Sequence, residues 1–537
     1  AVVEGFYGTP WTHQDRLDQF KFYGENKLNM YIYAPKDDPY HRDQWRDPYP
    51  QEEMARMQEL INTANENKVD FVFAISPGKD IDINSEADYQ ALVDKCESLY
   101  DMGVRSFAIL WDDIFTDDGA GQAAIMNRFN AEFVKTKEGV KPLITVPTQY
   151  WGTSMFNGSE VKPYTEGFSK NLDKDIEVMW TGEHVIPESV TLEDAEKVNN
   201  LYGRKMLLWW NYPVTDYKVD KLALGPIYNA DKALEGQIDF FTMNPMEHAE
   251  LSKITLATGA DYSWNTSEYD YQESWKKAIE MMYGELAPYM ITFADHSSRM
   301  EASWASTGRG DAPEVRQTMD DLLRKIVKGQ DVTTEIEILN KEFNDMIEAA
   351  DVLKEKLPSN VLSHCNENLD KLKLLGENDK IALDYLIAKR DKNTSEVERL
   401  EALLRGNLSS LNSGKKLSEK TALAFITEAL NSDFNAKANF DVSSTFVAPG
   451  QEVKFTNLSS MASSEFEWTF KGANIETSTE ESPTVVYEKE GIYSVTLKAK
   501  NALGKDVIVK EGLITVSNFA NTEKVNLALG KSVSASS

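Results

Sequence analysis

Cysteine is almost missing from this chain, with Cys96 and Cys365 the only two in 537 residues. Two thiols are too few for a disulfide framework or a cysteine zinc site. The six histidines show no HExxH or comparable spacing, so neither a structural metal nor a cofactor is expected. Long apolar runs are missing too, since no stretch approaches the about 18 consecutive apolar residues that suggest a membrane-spanning helix. Positive charge is in deficit, with 57 Lys and Arg against 87 Asp and Glu and a formal net charge of -30. That balance speaks against a general nucleic-acid binder and for an uncharged or weakly charged ligand. The chain opens inside an apolar segment, Ala1-Val2-Val3, without a charged signal region, so the native N-terminus is expected upstream.

What is present is enough apolar material, 41% of residues, for roughly three domains. Short apolar runs recur at 2–7, 30–34, 70–75, 106–111, 143–148, 176–180, 206–210 and 239–243, with helical periodicity between them. In residues 16–25, Leu17, Phe20 and Tyr23 share one helical face, and in 89–102 Leu92, Cys96 and Tyr100 do. Eight strands with crossover helices predict a (β/α)8 TIM barrel over residues 1–263.

The run 106–111 leads directly into Asp112-Asp113. A strand ending in acids fits the C-terminal rim of a barrel, and two carboxylates forced together push at least one pKa upward. In a plainer reading, one Asp caps the next helix and the other is solvated; Thr116-Asp117-Asp118 also hints at a calcium loop, but EF-hand spacing fails. Other runs end in equally unusual groups: Gly5-Phe6-Tyr7-Gly8, Pro35-Lys36-Asp37-Asp38, Tyr150-Trp151, Thr181, Trp209-Trp210-Asn211 through Asp216, and Asn244. Aromatic walls with neutral and acidic hydrogen-bonding groups suit a pyranose, whose C–H faces stack on rings while its hydroxyls need fixed partners. Taken singly, each aromatic fits barrel packing as well as ligand contact.

Residues 264–432 read as an α-helical bundle, with stripes Trp275, Ile279, Met282, Tyr283 and Met319, Leu322, Leu323, Ile326, then Leu369, Leu372 and the run 423–430. A loop at 297–313, with Gly308, Gly310 and Trp304, is expected to reach toward the substrate. Residues 433–518 read as a β-sandwich in which Tyr493, Val495, Leu497 and Ala499 alternate with polar neighbours. This segment resembles a polycystic kidney disease-type (PKD) immunoglobulin-like module, on Trp468-Thr-Phe, Ser482-Pro483, Tyr487, Gly491-Ile-Tyr493-Ser-Val495 and Asn501-Ala-Leu-Gly504. It departs from the pattern at Lys471-Gly472-Ala473, where the usual Gly-Asp-Gly turn is absent. The resemblance implies a spacer or partner-contact domain. Within 519–537, a linker and chain end, residues 526–537 resemble the first strand of a discoidin-type carbohydrate-binding module.

The barrel motifs Glu4-Gly5-Phe6-Tyr7-Gly8-Thr9-Pro10-Trp11, Tyr33-Ala-Pro-Lys36-Asp37-Asp38-Pro39-Tyr40, Trp111-Asp112-Asp113-Ile114, Met179-Trp180-Thr181-Gly182, Trp209-Trp210-Asn211-Tyr-Pro-Val-Thr-Asp216 and Asn244-Pro245-Met246 together resemble glycoside hydrolase family 84. Bacterial β-N-acetylglucosaminidases of the clostridial secreted type are the most similar members. The resemblance implies a retaining hydrolase of terminal β-linked GlcNAc, acting on glycoproteins or glycans. In it the substrate's own 2-acetamido carbonyl attacks the anomeric carbon and forms an oxazoline. Carried over, it makes Asp112 the residue that orients the acetamido N–H and Asp113 the proton donor and later base. Tyr150 positions the acetamido group, Gly5 and Lys36 contact hydroxyls, and Asp216 and Asn244 hold the far side of the sugar. Asn211 supports the reacting centre, and Thr181, Trp209 and Trp304 form walls. Adjacent acids on one strand suit this scheme better than a double displacement, which wants two carboxyls about 5 Å apart across the anomeric centre. Two rivals stand beside it: Asp216 as a covalent nucleophile, and a catalytically idle glycan-binding adhesin. The appended modules and scarce cysteine lead to an expected secreted or cell-surface location, with protein or glycan contacts through the C-terminal modules.

Overall fold

A computed structural model describes residues 1–460 and 462–518. Eight parallel strands close into a barrel: β1 (Val2–Glu4), β2 (Met30–Tyr33), β3 (Asp70–Ile75), β4 (Ser106–Leu110), β5 (Ile144–Val146), β6 (Glu177–Trp180), β7 (Met206–Trp210) and β8 (Ile238–Met243). Each falls within a predicted run or a residue of it. Strands buried on both faces read as continuous apolar runs rather than alternating ones. Here Val3, Ile32, Val72, Ala108, Leu110, Met179, Leu207 and Trp209 fill the barrel interior. On the outer face Tyr31 meets Phe20 of the helix His13–Glu25 edge-on, with ring centroids 5.0 Å apart.

That helix starts at Thr12, whose hydroxyl accepts from Asp15 N while the Asp15 carboxylate accepts from Thr12 N, a capping box. Its buried stripe differs from the predicted one. Gln19 and Phe22 are buried and Leu17 only partly so, because Gln19 donates its amide to the Ala249 carbonyl at 2.8 Å. Buried Glu4, at the end of β1, accepts two bonds from Arg16 at 2.7 and 2.8 Å and one from Trp11 N at 3.1 Å. It is thereby committed to holding the first helix to the barrel.

Past β8 come the helices Ala249–Trp264, Tyr271–Tyr283 and Ala287–Asp295. The predicted loop at 297–313 is instead built around a β-hairpin, β9 (Met300–Ala302) with β10 (Ala305–Thr307), turning at Ser303-Trp304. Sequence periodicity missed it because each strand holds only three residues. Long helices follow at Pro313–Lys328, Thr333–Lys356, Ser359–Arg390, Thr394–Asn412 and Ala422–Asn431. By internal contacts the described residues form two compact units, one of residues 1–313, 344–377 and 409–423, the other of 314–343, 378–408 and the described residues from 424 to 518.

The second unit carries the β-sandwich. One sheet pairs Phe440–Val442, Glu452–Asn457 and Thr484–Val486; the other orders Phe446–Val447, Gly504–Val516, Gly491–Asn501, Glu465–Phe470 and Thr477–Ser478. Trp468 is buried between them, its ring 5.1 Å from Phe440 and stacked on Phe470 at 5.5 Å. Val495, Leu497 and Ala499 are buried as the alternation predicts. Tyr493 is only half-buried, because the ladder shifts register between Tyr493 and Val495 and its hydroxyl donates to the Lys489 carbonyl at 2.8 Å. At the atypical turn, Ala473 N donates to Phe470 O at 3.0 Å with Gly472 at φ 87°. The discoidin-like expectation at 526–537 lies outside the described residues.

Candidate active site

A cavity of about 490 Å³ opens at the C-terminal rim of the barrel. Every site residue predicted from the sequence lines it: Gly5 just past β1, Lys36 past β2, Asp112 and Asp113 past β4, Tyr150 past β5, Thr181 past β6, Trp209 within β7, Asn211 and Asp216 past it, Asn244 past β8, and Trp304 on the hairpin turn. The elements bring them together because parallel strands of a barrel all end on one face.

The two carboxylates meet different surroundings although they are adjacent in sequence. Asp112 is buried, and Lys36, itself almost wholly buried, donates its ammonium to Asp112 Oδ2. Asp112 Oδ1, equally buried, has no hydrogen-bond partner. Burial pushes the Asp112 carboxyl up, but Lys36, with Arg42 and His41 behind it, outweighs burial, and the net shift is downward. The upward push expected from adjacency therefore does not govern this residue: a cation on a distant stretch of the rim does not show in the local sequence.

Asp113 is exposed and lies at φ 55°, in the left-handed region that Asp and Asn enter more readily than other residues bearing a Cβ. Its Oδ2 accepts from Tyr7 Oη at 2.6 Å and its Oδ1 from Tyr150 Oη at 2.9 Å. Arg42 in turn donates to Tyr7 Oη at 2.8 Å. The helix after β4 is capped by Asp118, whose Oδ1 accepts from Gly121 N at 2.7 Å. Neither rim aspartate caps that helix, so the plainer reading of the pair fails.

The floor is a hydrogen-bonded plate. Asn211 Oδ1 accepts from Trp209 Nε1 at 2.8 Å and from Asn244 Nδ2 at 3.0 Å, while Asn211 Nδ2 donates to the Val185 carbonyl at 2.8 Å. Trp209 is 5% exposed and its indole packs so tightly under Gly5 that a Cβ there would stand 2.5 Å from its Cζ2. Gly5→Ala is accordingly expected to destabilise the barrel by about 1–3 kcal/mol through overpacking. The reading is a lower denaturant midpoint at unchanged slope; a variant as stable as the parent would mean that Trp209 has room to move.

Asp216 accepts from Tyr7 N at 2.9 Å, and burial pushes its carboxyl up. Thr181 spends its hydroxyl on the His184 carbonyl at 2.9 Å. Trp304 stands at the mouth, 58% exposed, with its ring 5.4 Å from Tyr217. The site choice from sequence left out Tyr7, Arg42, Trp151 and Tyr217. Tyr7, Trp151 and Tyr217 each adjoin or lie within one of the rim motifs, so their place was legible. Arg42, just past the Lys36 motif, gave no signal.

The profile of the beta-N-acetylglucosaminidase family matches residues 1–295, a hyaluronidase post-catalytic domain-like profile residues 314–426, and the PKD domain profile residues 437–507. The chain is 33% identical over 269 residues to the protein O-GlcNAcase of Rattus norvegicus and likewise to that of Mus musculus, covering 49% of this chain and 29% of each relative. It thus spans under a third of the length of these curated relatives. Among solved structures, CpGH84B superposes with a TM-score of 0.77 at 51% identity, over 80% of this chain and 76% of that one. An O-GlcNAc hydrolase variant of Thermobaculum terrenum superposes with a TM-score of 0.71 at 27% identity, over 81% of this chain and 94% of that one. A family profile that takes in more than half of the residues, all the rim motifs among them, leads to one conclusion: the chain belongs to the beta-N-acetylglucosaminidase family, glycoside hydrolase family 84.

Proposed function

We propose that this protein is a retaining exo-β-N-acetylglucosaminidase that removes terminal β-linked GlcNAc from glycoproteins or glycans, with the substrate's acetamido oxygen as nucleophile. The observation that carries the reading is Asp112. A buried carboxylate kept ionised by Lys36, with one oxygen committed to that lysine and the other without a partner, is a preformed acceptor for a single N–H. An acetamide supplies that N–H, and accepting from it strengthens the carbonyl oxygen as a nucleophile. Asp113, exposed and held by two neutral phenols, is the residue free to lend a proton to the leaving oxygen and take one from water. The plate of Trp209, Asn211 and Asn244 supports the stacked face and hydroxyls of the ring.

Asp216 as covalent nucleophile fits less well, since its Oδ2 already accepts from the Tyr7 backbone N–H at 2.9 Å. Secretion or surface display, partner contacts through the PKD-type module, and domain boundaries near 263, 432 and 518 belong to the same proposal. Its test is hydrolysis of an aryl β-N-acetylglucosaminide whose acetamide carries zero to three fluorines. Rates are expected to fall steeply with each fluorine, because the withdrawn electrons are those of the attacking oxygen. Rates indifferent to fluorination would move the nucleophile to a protein carboxylate, and inactivity on every β-GlcNAc substrate would leave the adhesin reading.

A further inference from the structure

The aromatic lining of the cavity falls into two kinds. Trp209, 5% exposed, lies at the bottom, whereas Trp304, 58% exposed, lines the same cavity at its solvent-exposed edge. Yet Trp304 is carried on a hairpin of three residue pairs, Met300 with Thr307, Glu301 with Ser306 and Ala302 with Ala305. So short a two-stranded ribbon is at best marginal on its own. Something outside the ladder has to fix it.

Arg299, immediately before β9, has the bonds to do so. Its Nη1 donates to Glu188 Oε1 at 2.6 Å and its Nη2 to Glu188 Oε2 at 2.9 Å, a fork-to-fork pair. The same guanidinium donates to the Gly308 carbonyl at 2.7 Å and to Ser306 Oγ, both on the return side of the hairpin. Glu188 lies two residues past Ile186, which lines the cavity with Val185. The base is anchored separately, where Asp311 Oδ1 accepts from Ser298 N at 2.7 Å and Arg299 N at 2.8 Å. Gly308 lets the return strand close in, since a Cβ there would come within 2.6 Å of the Ser298 carbonyl. One side chain thus ties both arms of the Trp304 hairpin to the loop after β6.

We infer that Arg299 is a positioning residue for specificity: paired with Glu188, it latches the hairpin so that Trp304 forms a fixed platform for the aglycone, the peptide that carries the sugar, rather than for the sugar itself. This rests on the proposed glycosidase function. It predicts a selective loss. Arg299→Lys, which keeps the charge and loses the fork, weakens binding of a GlcNAc-bearing seryl peptide about three- to tenfold, the worth of one aromatic contact. Binding of free GlcNAc, which has no aglycone, stays unchanged. Glu188→Gln acts in the same direction.

Both affinities are measured by calorimetry in the full chain on an Asp113→Asn background, so turnover does not interfere. Because Arg299 acts through Trp304, the Trp304→Ala, Arg299→Lys double variant is expected to bind the glycopeptide no more weakly than Trp304→Ala alone. Additive losses, an equal loss for free GlcNAc, or no loss in Arg299→Lys would each overturn the latch. Failure of the Asp113→Asn background with Arg299 and Trp304 intact to bind either ligand would instead overturn the proposed function, and the latch with it.

Discussion

Asp113→Asn is expected to lower kcat/KM on β-N-acetylglucosaminides with a poorly departing alcohol by about 10²- to 10⁴-fold, the usual worth of a general acid. Asparagine is the right replacement because position 113 lies at φ 55°, a conformation Asn tolerates as Asp does, so the loop after β4 keeps its course. The loss should shrink with a strongly acidic phenol as leaving group, which departs without a proton. Asp112→Asn should lose rate whatever the leaving group, because it takes away the partner of the acetamide rather than the proton donor. The contrast stems from their surroundings: Asp112 is tied to an ammonium, Asp113 to two neutral phenols at the exposed edge of the site. An Asp113→Asn deficit that is the same across the leaving-group series would place the acid elsewhere.

That division of labour lies beyond what a one-dimensional reading can reach, although the barrel itself does not. The strands were legible because parallel strands covered on both faces are apolar throughout, and a run such as Phe107-Ala108-Ile109-Leu110-Trp111 admits few other readings. The rim residues were legible for a related reason: a parallel barrel gathers the residues just past its strands on one face, so Lys36, Asp112, Tyr150, Asn211 and Asn244 had to be neighbours. Pairings across the rim were not. That Lys36 rather than Asp113 decides the ionisation of Asp112, and that Arg42 stands behind Tyr7, depends on which way side chains turn after β2. The hairpin under Trp304 escaped because three residues per strand give too few alternations to separate from a Gly-bearing loop. Ion pairs such as that of Arg299 with Glu188, 111 positions apart, leave no periodic trace at all.

Lys36→Met should have the largest effect on the fold of any rim substitution, and its pH dependence separates it from a simple loss of contact. In the parent the Asp112 carboxyl titrates below its ordinary value of 3.8. Its ionisation therefore contributes stability at neutral pH that is lost only as the pH falls through that depressed value. Methionine removes the nearest cation and leaves a buried carboxylate with only the weaker pull of Arg42 and His41 to offset burial, a change that costs about 3–5 kcal/mol when one partner of a buried pair is deleted. Burial then has the upper hand and the Asp112 pKa rises above its unfolded value. The sign of the linkage reverses: relative to the parent, Lys36→Met should gain stability as the pH falls through the raised pKa and lose it toward neutrality and above. Activity should change in parallel, with the acid limb of kcat/KM displaced upward, because only ionised Asp112 can accept the acetamide N–H. Denaturant unfolding at several pH values checks the first expectation and a pH-rate profile the second. Adding Asp112→Asn to Lys36→Met removes the stranded charge and should recover much of the stability with no return of activity. If the single and double variants were equally unstable at every pH, Lys36 would be packing against the barrel rather than holding a charge.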